Sequence, residues 1–281
     1  MYKIGLSTAK YPDEQLFKEY SDAKIKCVEL SRPRDETDRY DYEQLRELSE
    51  KYGVELYSFH LPFWPFDEID ISNPSLAKKT IEYFKPIIDK ATAIGIDKFI
   101  IHASGEPIDE ESRKGRMECA KNSLRELAEY AGQRGAVICV EDLPRSCLGR
   151  DVSDMKELTD AHKALRVCLD TNHLLKDDNI DLIRELGSKI VTTHISDYDR
   201  VNERHWLPGE GVIDWKKLIE ALEGIGYKGA WLYEIDYECP KTIIRSRSLT
   251  NEDFVRNARE LLEGKTPTIF STPKQGLGFW E

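Results

Sequence analysis

The chain has 281 residues, 40% of them hydrophobic and 33% charged, which supplies a full apolar core and excludes long disorder. With 52 acidic against 41 basic side chains the formal charge is −11, which excludes a general grip on nucleic-acid phosphates, since that grip comes from Lys and Arg. No window reaches the roughly 18 apolar residues of a membrane span, and the N-terminal MYKIGLSTAK has no signal-peptide pattern. The six cysteines form no C-x-x-C pair, so packed thiols at Cys27, Cys139 and Cys168 in a cytoplasmic protein are expected.

Short apolar runs recur along the chain, each followed by a polar loop and then by helical spacing. They are 2–7 (YKIGLS), 25–30 (IKCVEL), 54–59 (VELYSF), 97–102 (DKFIIH), 136–141 (AVICVE), 166–170 (RVCLD), 190–194 (IVTTH) and 230–234 (AWLYE). Several are nearly continuous in apolar residues, as for parallel strands buried on both faces. Between them Leu45, Leu48 and Tyr52 share a helix face, and Trp215, Leu218, Ile219 and Leu222 share another. Asn73-Pro74 predicts a helix start, and Pro86 predicts a kink or division of that helix. Thr250 with Asp253 predicts a capping box before the last stripe of Phe254, Ala258, Leu261 and Leu262.

Five helices end in glycine, at Gly53, Gly95, Gly135, Gly187 and Gly226. A strand follows each, and each strand ends in a metal-ligand type: His60, His102, Glu141, His194 and Glu234. The offsets run from six to eight residues, so these side chains should arrive at one level. Repeated β-α units predict a single-domain α/β fold, a (β/α)8 TIM barrel over 1–264 with a C-terminal tail over 265–281. A doubly wound open sheet would need an early Gly-rich phosphate turn, and the chain has neither that nor a P-loop, so no nucleotide cofactor is expected. The tail ends in Phe279-Trp280 and could dock on the barrel or remain a loose terminus.

Chemistry-bearing residues gather at the predicted strand ends. His60, His102, His173, His194 and His205 lie there, with only His162 expected on a helix. Glu141, Asp170 and Glu234 also end apolar runs, where a carboxylate is costly unless it is paired or bound to metal. Three carboxylates plus His194 on four consecutive strands point to a divalent ion, Zn²⁺ or Mn²⁺. The loop after the seventh run adds His194, Asp197, Glu203 and His205 as ligands or ligand orienters. Glu203 and His205, two apart, should face one side, and Asp214 should cap the next helix. Phe63, Trp64 and Phe66 could wall a pocket, and Arg204 and Trp206 are expected beside the substrate.

These residues resemble the xylose isomerase-like TIM-barrel superfamily, which joins sugar and sugar-phosphate isomerases and epimerases with endonuclease IV. The resemblance rests on LDTNH at 169–173, on His194, and on ERHWLPGEGVIDW at 203–215. It implies metal ligation by Glu141, Asp170, His194 and Glu234, acid and base roles for Glu141 and Glu234, and substrate contact by His173. In its ketose 3-epimerase branch a second Glu follows six residues past the first, where this chain has Cys147. The endonuclease IV branch adds ligands that match His60, His102, His173 and His205, while Glu203 stands where that branch has Asp. The implied function is a metal-dependent isomerase or epimerase of a small sugar, polyol derivative or sugar phosphate, by proton transfer through a stabilised enediolate. The alternatives are a multi-zinc phosphodiesterase acting on abasic DNA and a non-catalytic sugar-binding barrel. The expected partner is a small carbohydrate rather than a membrane or nucleic acid, and a homodimer is compatible.

Overall fold

In the computed structural model, which describes residues 2–8, 10–235 and 237–274, each of the eight apolar runs contributes a parallel strand. These are β1 (Ile4–Ser7), β2 (Cys27–Leu30), β3 (Glu55–His60), β4 (Lys98–His102), β5 (Val137–Glu141), β6 (Arg166–Asp170), β7 (Ile190–His194) and β8 (Trp231–Tyr233). They follow the order β7-β6-β5-β4-β3-β2-β1-β8. A parallel bridge between Ile195 and Tyr233 brings the ends together, with the Ile195 N–H donating to the Leu232 carbonyl at 2.7 Å. Eight parallel strands alternating with helices form a TIM barrel.

The surrounding helices are α1 (Glu14–Ala23), α2 (Arg34–Thr37), α3 (Tyr42–Tyr52), α4 (Ala77–Ala93), α5 (Glu110–Gly132), α6 (Val152–Thr159), α7 (Asn179–Leu186), α8 (Trp215–Gly224) and α9 (Asn251–Leu262). Aspartates start six of them: Asp13, Asp41, Asp109, Asp151, Asp178 and Asp214 each accept a first-turn backbone N–H. Thr250 and Asp253 form the expected capping box of α9. All five helix-ending glycines have positive φ, the conformation that turns each chain back into the next strand. Pro86 does not divide α4, which runs unbroken through it. The cost of the missing N–H is offset by the buried stripe of Ile81, Phe84, Ile87 and Ile88. His162 is not helical. It lies in the turn after α6, where its Nδ1 accepts from the Ala164 N–H at 3.2 Å.

Alternation along the strands builds the barrel interior in layers. Ile100, Cys139 and Cys168 form a small buried cluster two residues before His102, Glu141 and Asp170. Cys27, Tyr57, Ala230 and Leu232 form a second one, two residues before Glu29 and Glu234 in the case of Cys27 and Leu232. An apolar plug therefore supports a polar layer at the C-terminal mouth. Among the tail residues described, Ser271–Pro273 forms β10, antiparallel to β9 (Ile243–Arg245). Phe279 and Trp280 lie outside the described residues.

Candidate metal centre

Strand register sets the level of the polar layer. His102 pairs with Glu141 across β4 and β5, and Asp170 pairs with His194 across β6 and β7. Glu234 follows β8 directly. One donor atom from each of Glu141, Asp170, His194 and Glu234 lies within 4.8 Å of the others. Three further groups of that tightness adjoin them: His60 with His102 and Glu141, His173 with Glu203 and His205, and Cys168 with Glu141 and His194. Glu141 belongs to both of the first two groups, so the clusters merge into one continuous floor.

The imidazoles are oriented from outside. His60 Nδ1 is 2.9 Å from the Leu61 carbonyl, while its Nε2 is 3.1 Å from Glu141 Oε2. His173 Nδ1 is 2.8 Å from the Asp142 carbonyl, while its Nε2 is 3.3 Å from Glu203 Oε2. His205 Nδ1 is 3.1 Å from the Glu234 carbonyl. His194 Nε2 is 2.9 Å from Glu29 Oε1, while its Nδ1 is 2.7 Å from Glu141 Oε1. In each of His60, His173 and His194 both ring nitrogens face oxygens that carry no proton to give. A neutral imidazole has one N–H, so its second nitrogen presents a lone pair to another acceptor. A second ring proton resolves that conflict, and so does a cation at the inner nitrogen, with the outer oxygen then fixing the tautomer.

The carboxylates carry the same signature. Asp170 is fully buried, its Oδ1 accepts the Asn172 N–H at 2.7 Å, and its Oδ2 has no hydrogen-bond partner. Burial pushes the Asp170 carboxyl up to about 7, with His173 opposing and the charges of Glu234 and Glu141 adding to the push. Burial acts on Glu141 too, but His194, His102 and His60 outweigh it and hold that carboxyl well below its usual range. Burial and the Asp170 charge push the Asp142 carboxyl well above its usual range. His173 is raised because Asp170 and Glu203 outweigh its burial. Mixed imidazole and carboxylate donors with an orphaned inward oxygen fit a divalent metal ion.

Two cavities open above this floor and share His205 and Glu234. One, of about 260 Å³, is lined by Ser7, Thr8, Ser31 and Arg32. The other, of about 240 Å³, reaches Glu141, His173 and Glu203 and is walled by Phe63, Phe66 and Cys147. Phe63 stacks on His102 at 4.2 Å between ring centroids. Phe66 packs where Gly105 lacks a side chain, since a Cβ there would lie 2.8 Å from the ring. Arg145 spans the mouth, with Nη1 donating to Glu203 Oε1 at 2.7 Å and Nε donating to Glu106 Oε2 at 2.9 Å.

Three expected pocket residues do not border either cavity. Trp64 is 58% exposed and packs edge-on against Phe66. Arg204 turns inward, where its Nε donates to Asp199 Oδ2 at 2.9 Å. Trp206 is buried and donates from Nε1 to Thr242 Oγ1 at 2.9 Å. Glu203 and His205 do face one side, as their spacing implies, even though His205 adopts a φ of +49°. Asp197 is not in the floor: its oxygens accept from Gly209, Tyr198, Ile213 and the Trp215 indole, so it organises the loop instead. Glu29 was not singled out by sequence, yet it is fully buried, accepts from Ser58 Oγ at 2.7 Å and touches His194. The signal was its place two residues after Cys27, on the inward face of β2. Cys168 was expected only to pack, but its thiol also comes within ligand reach of Glu141 and His194.

Comparison with known proteins bears on the fold and the family. A D-psicose 3-epimerase of Enterocloster bolteae is 24% identical over 243 residues, covering 80% of this chain and 75% of that protein. A probable endonuclease 4 of Thermoplasma acidophilum is 24% identical over 182 residues, covering 58% and 61%. The crystal structure of a D-tagatose 3-epimerase-like protein superposes with a TM-score of 0.77 at 20% identity, covering 93% of this chain and 97% of that one. The family model described as xylose isomerase-like TIM barrel matches residues 17–263. With the strand order, the layered mouth and that match in agreement, the chain belongs to the xylose isomerase-like TIM barrel family.

Proposed function

We propose that this chain is a divalent-metal-dependent isomerase or epimerase of a small sugar, polyol derivative or sugar phosphate. What carries the proposal is the Glu141, Asp170, His194 and Glu234 group, whose donor atoms lie within 4.8 Å of one another beneath a cavity of sugar size. Those four residues would hold the ion, which supplies a Lewis acid for adjacent substrate oxygens when bound. Glu234 lines both cavities and is positioned to take the proton beside a carbonyl. For epimerisation a proton must return from the opposite face, and Glu141, on β5 and three strands from β8, would relay it from His194 or His60, whose ring nitrogens lie 2.7 and 3.1 Å from its oxygens. His173 is held by the Asp142 carbonyl, faces the same cavity and orients a substrate hydroxyl.

The test is metal content per chain by elemental mass spectrometry, followed by deuterium uptake from D₂O into ketoses and their phosphates. About one Zn or Mn per chain with deuterium uptake would support the proposal. Metal-loaded protein that exchanges no proton in any of these sugars would overturn it. The three adjoining donor groups favour a second possibility, a multi-zinc phosphodiesterase acting on abasic DNA. Close to three Zn per chain and cleavage of an abasic duplex would establish that activity over the first. Against it, Arg145 at the mouth is committed to Glu106 and Glu203, and Arg204 pairs with Asp199.

A further inference from the structure

A third cavity, of about 880 Å³, lies on the same face of the barrel and adjoins the catalytic cavity through Glu106 and Arg145, which line both. It is formed by the loops after β4, β5, β6 and β7. The catalytic cavity, at about 240 Å³, is filled by one monosaccharide, whereas this outer groove is the size of a site for a drug-sized group. Its apolar wall is Pro107, Leu175 and Val201, and Val201 is 42% exposed. Its lining carries Arg145, Arg150, Lys176 and Arg200 against Glu106; Arg145 is paired with Glu106 and Glu203, so the positive charge offered to a ligand comes from the other three.

The kind of cation matters. Arg150 pairs with Glu110, and Arg200 pairs with Asp178. Those carboxylates are 71% and 42% exposed, so they neutralise weakly. They do hold the guanidinium planes, whose faces suit stacking on a flat ring. The Nε of Arg150 is buried and lies 3.9 Å from Asp151 Oδ2, so the side chain is held from that edge as well. Lys176 is exposed at the rim and adds a mobile positive charge. A run of phosphates would need several uncommitted cations and no apolar wall.

We infer that the outer groove is a substrate subsite for a planar, anionic substituent carried on a sugar hydroxyl away from the reacting carbonyl, so that the substrate is a substituted sugar with its carbonyl free rather than an unsubstituted monosaccharide. This rests on the sugar-processing function proposed above. The sugar sits over Glu141 and Glu234, the linkage crosses the Arg145–Glu106 partition, the ring lies on Val201 and Leu175, and its acid group meets Lys176.

The test compares matched methyl and 4-carboxyphenyl glycosides of glucose, galactose and xylose by isothermal titration on the metal-loaded protein. The carboxyphenyl member of at least one pair should bind about ten-fold tighter. Lys176→Glu and Val201→Asp should each remove most of that gain, leaving methyl-glycoside binding and metal content unchanged. Equal affinity within every pair, absence of binding by all six compounds, or a gain that survives both substitutions would overturn the subsite. Tight binding of a 20-base-pair duplex that is lost in Lys176→Glu would overturn it in favour of nucleic acid. Deuterium uptake is read separately on free ketoses and on the 1-O-(4-carboxyphenyl) ether of fructose, which keeps its carbonyl: uptake with equal pair affinities rejects only the groove, and absence of uptake into both kinds of sugar rejects the function proposed for the mouth.

Discussion

Asp170 and Asp197 are both fully buried, at and just past the ends of neighbouring strands, and the fold treats them in opposite ways. Asp197 accepts four hydrogen bonds, from three backbone N–H groups and the Trp215 indole. Gly211 keeps it there, since a Cβ at that position would fall 2.2 Å from Asp197 Oδ1. Asp170 keeps one oxygen without any partner and faces Glu141 and Glu234. Burial of a carboxylate is therefore not what marks a site. The mark is an inward oxygen that the protein leaves without a donor.

The sharpest break in this contrast is at Glu234. Glu234→Gln should lower proton exchange by roughly a thousand-fold, read as deuterium uptake, with an unchanged circular dichroism spectrum. Full activity in that variant would remove Glu234 from the chemistry. Next come the two aspartates. Asp197→Asn turns an amide N–H₂ toward donors and should cost about 2–4 kcal/mol of stability in urea unfolding. Asp170→Asn should leave metal-free stability unchanged or higher, because the burial that pushes this carboxyl up to about 7 outweighs its attraction to His173. It should weaken metal binding by more than the roughly 10–100-fold that loss of an outer-shell partner costs. Equal destabilisation by both substitutions would erase the distinction.

Glu29 sharpens it further. Glu29→Leu should lower Zn²⁺ affinity about 10–100-fold in a chelator competition, since His194 loses the oxygen on its far nitrogen. The smallest effect belongs to Asp253, a carboxylate satisfied like Asp197 but at a helix start. It accepts from Thr250 N–H at 2.9 Å and from Arg247. Burial opposes its charge, but Arg247, the Thr250 N–H and Arg256 prevail and hold it at about 2. A depressed carboxyl contributes stability that is complete above about pH 4 and is lost as pH falls through about 2. Asp253→Ala should cost about 1 kcal/mol at pH 7, and the gap from wild type should close across that window.

Much of this was legible in the sequence because barrels convert spacing into height. The distance from each helix-ending glycine to the next ligand type placed His60, His102, Glu141, His194 and Glu234 at one level. Loop side chains were less legible. Trp64, Arg204 and Trp206 stand beside residues of the site, but loop backbone turns them outward or into the core. Asp197 carried the right chemistry, and only the fold of 207–213 shows that its oxygens are already occupied. Glu29 hid inside an apolar run, where its inward phase required pairing it with Cys27. Pro86 was overruled by packing, since one missing hydrogen bond is small against four buried apolar side chains.

Seven strands send one side chain each to the polar floor: Glu29, His60, His102, Glu141, Asp170, His194 and Glu234. No half-barrel fragment contains a working subset, and no single loop could be transplanted to another scaffold with the chemistry intact. The polar floor of this molecule is a property of ring closure. Loss of turnover in denaturant should track loss of the whole sheet, making activity a reporter of global rather than local folding.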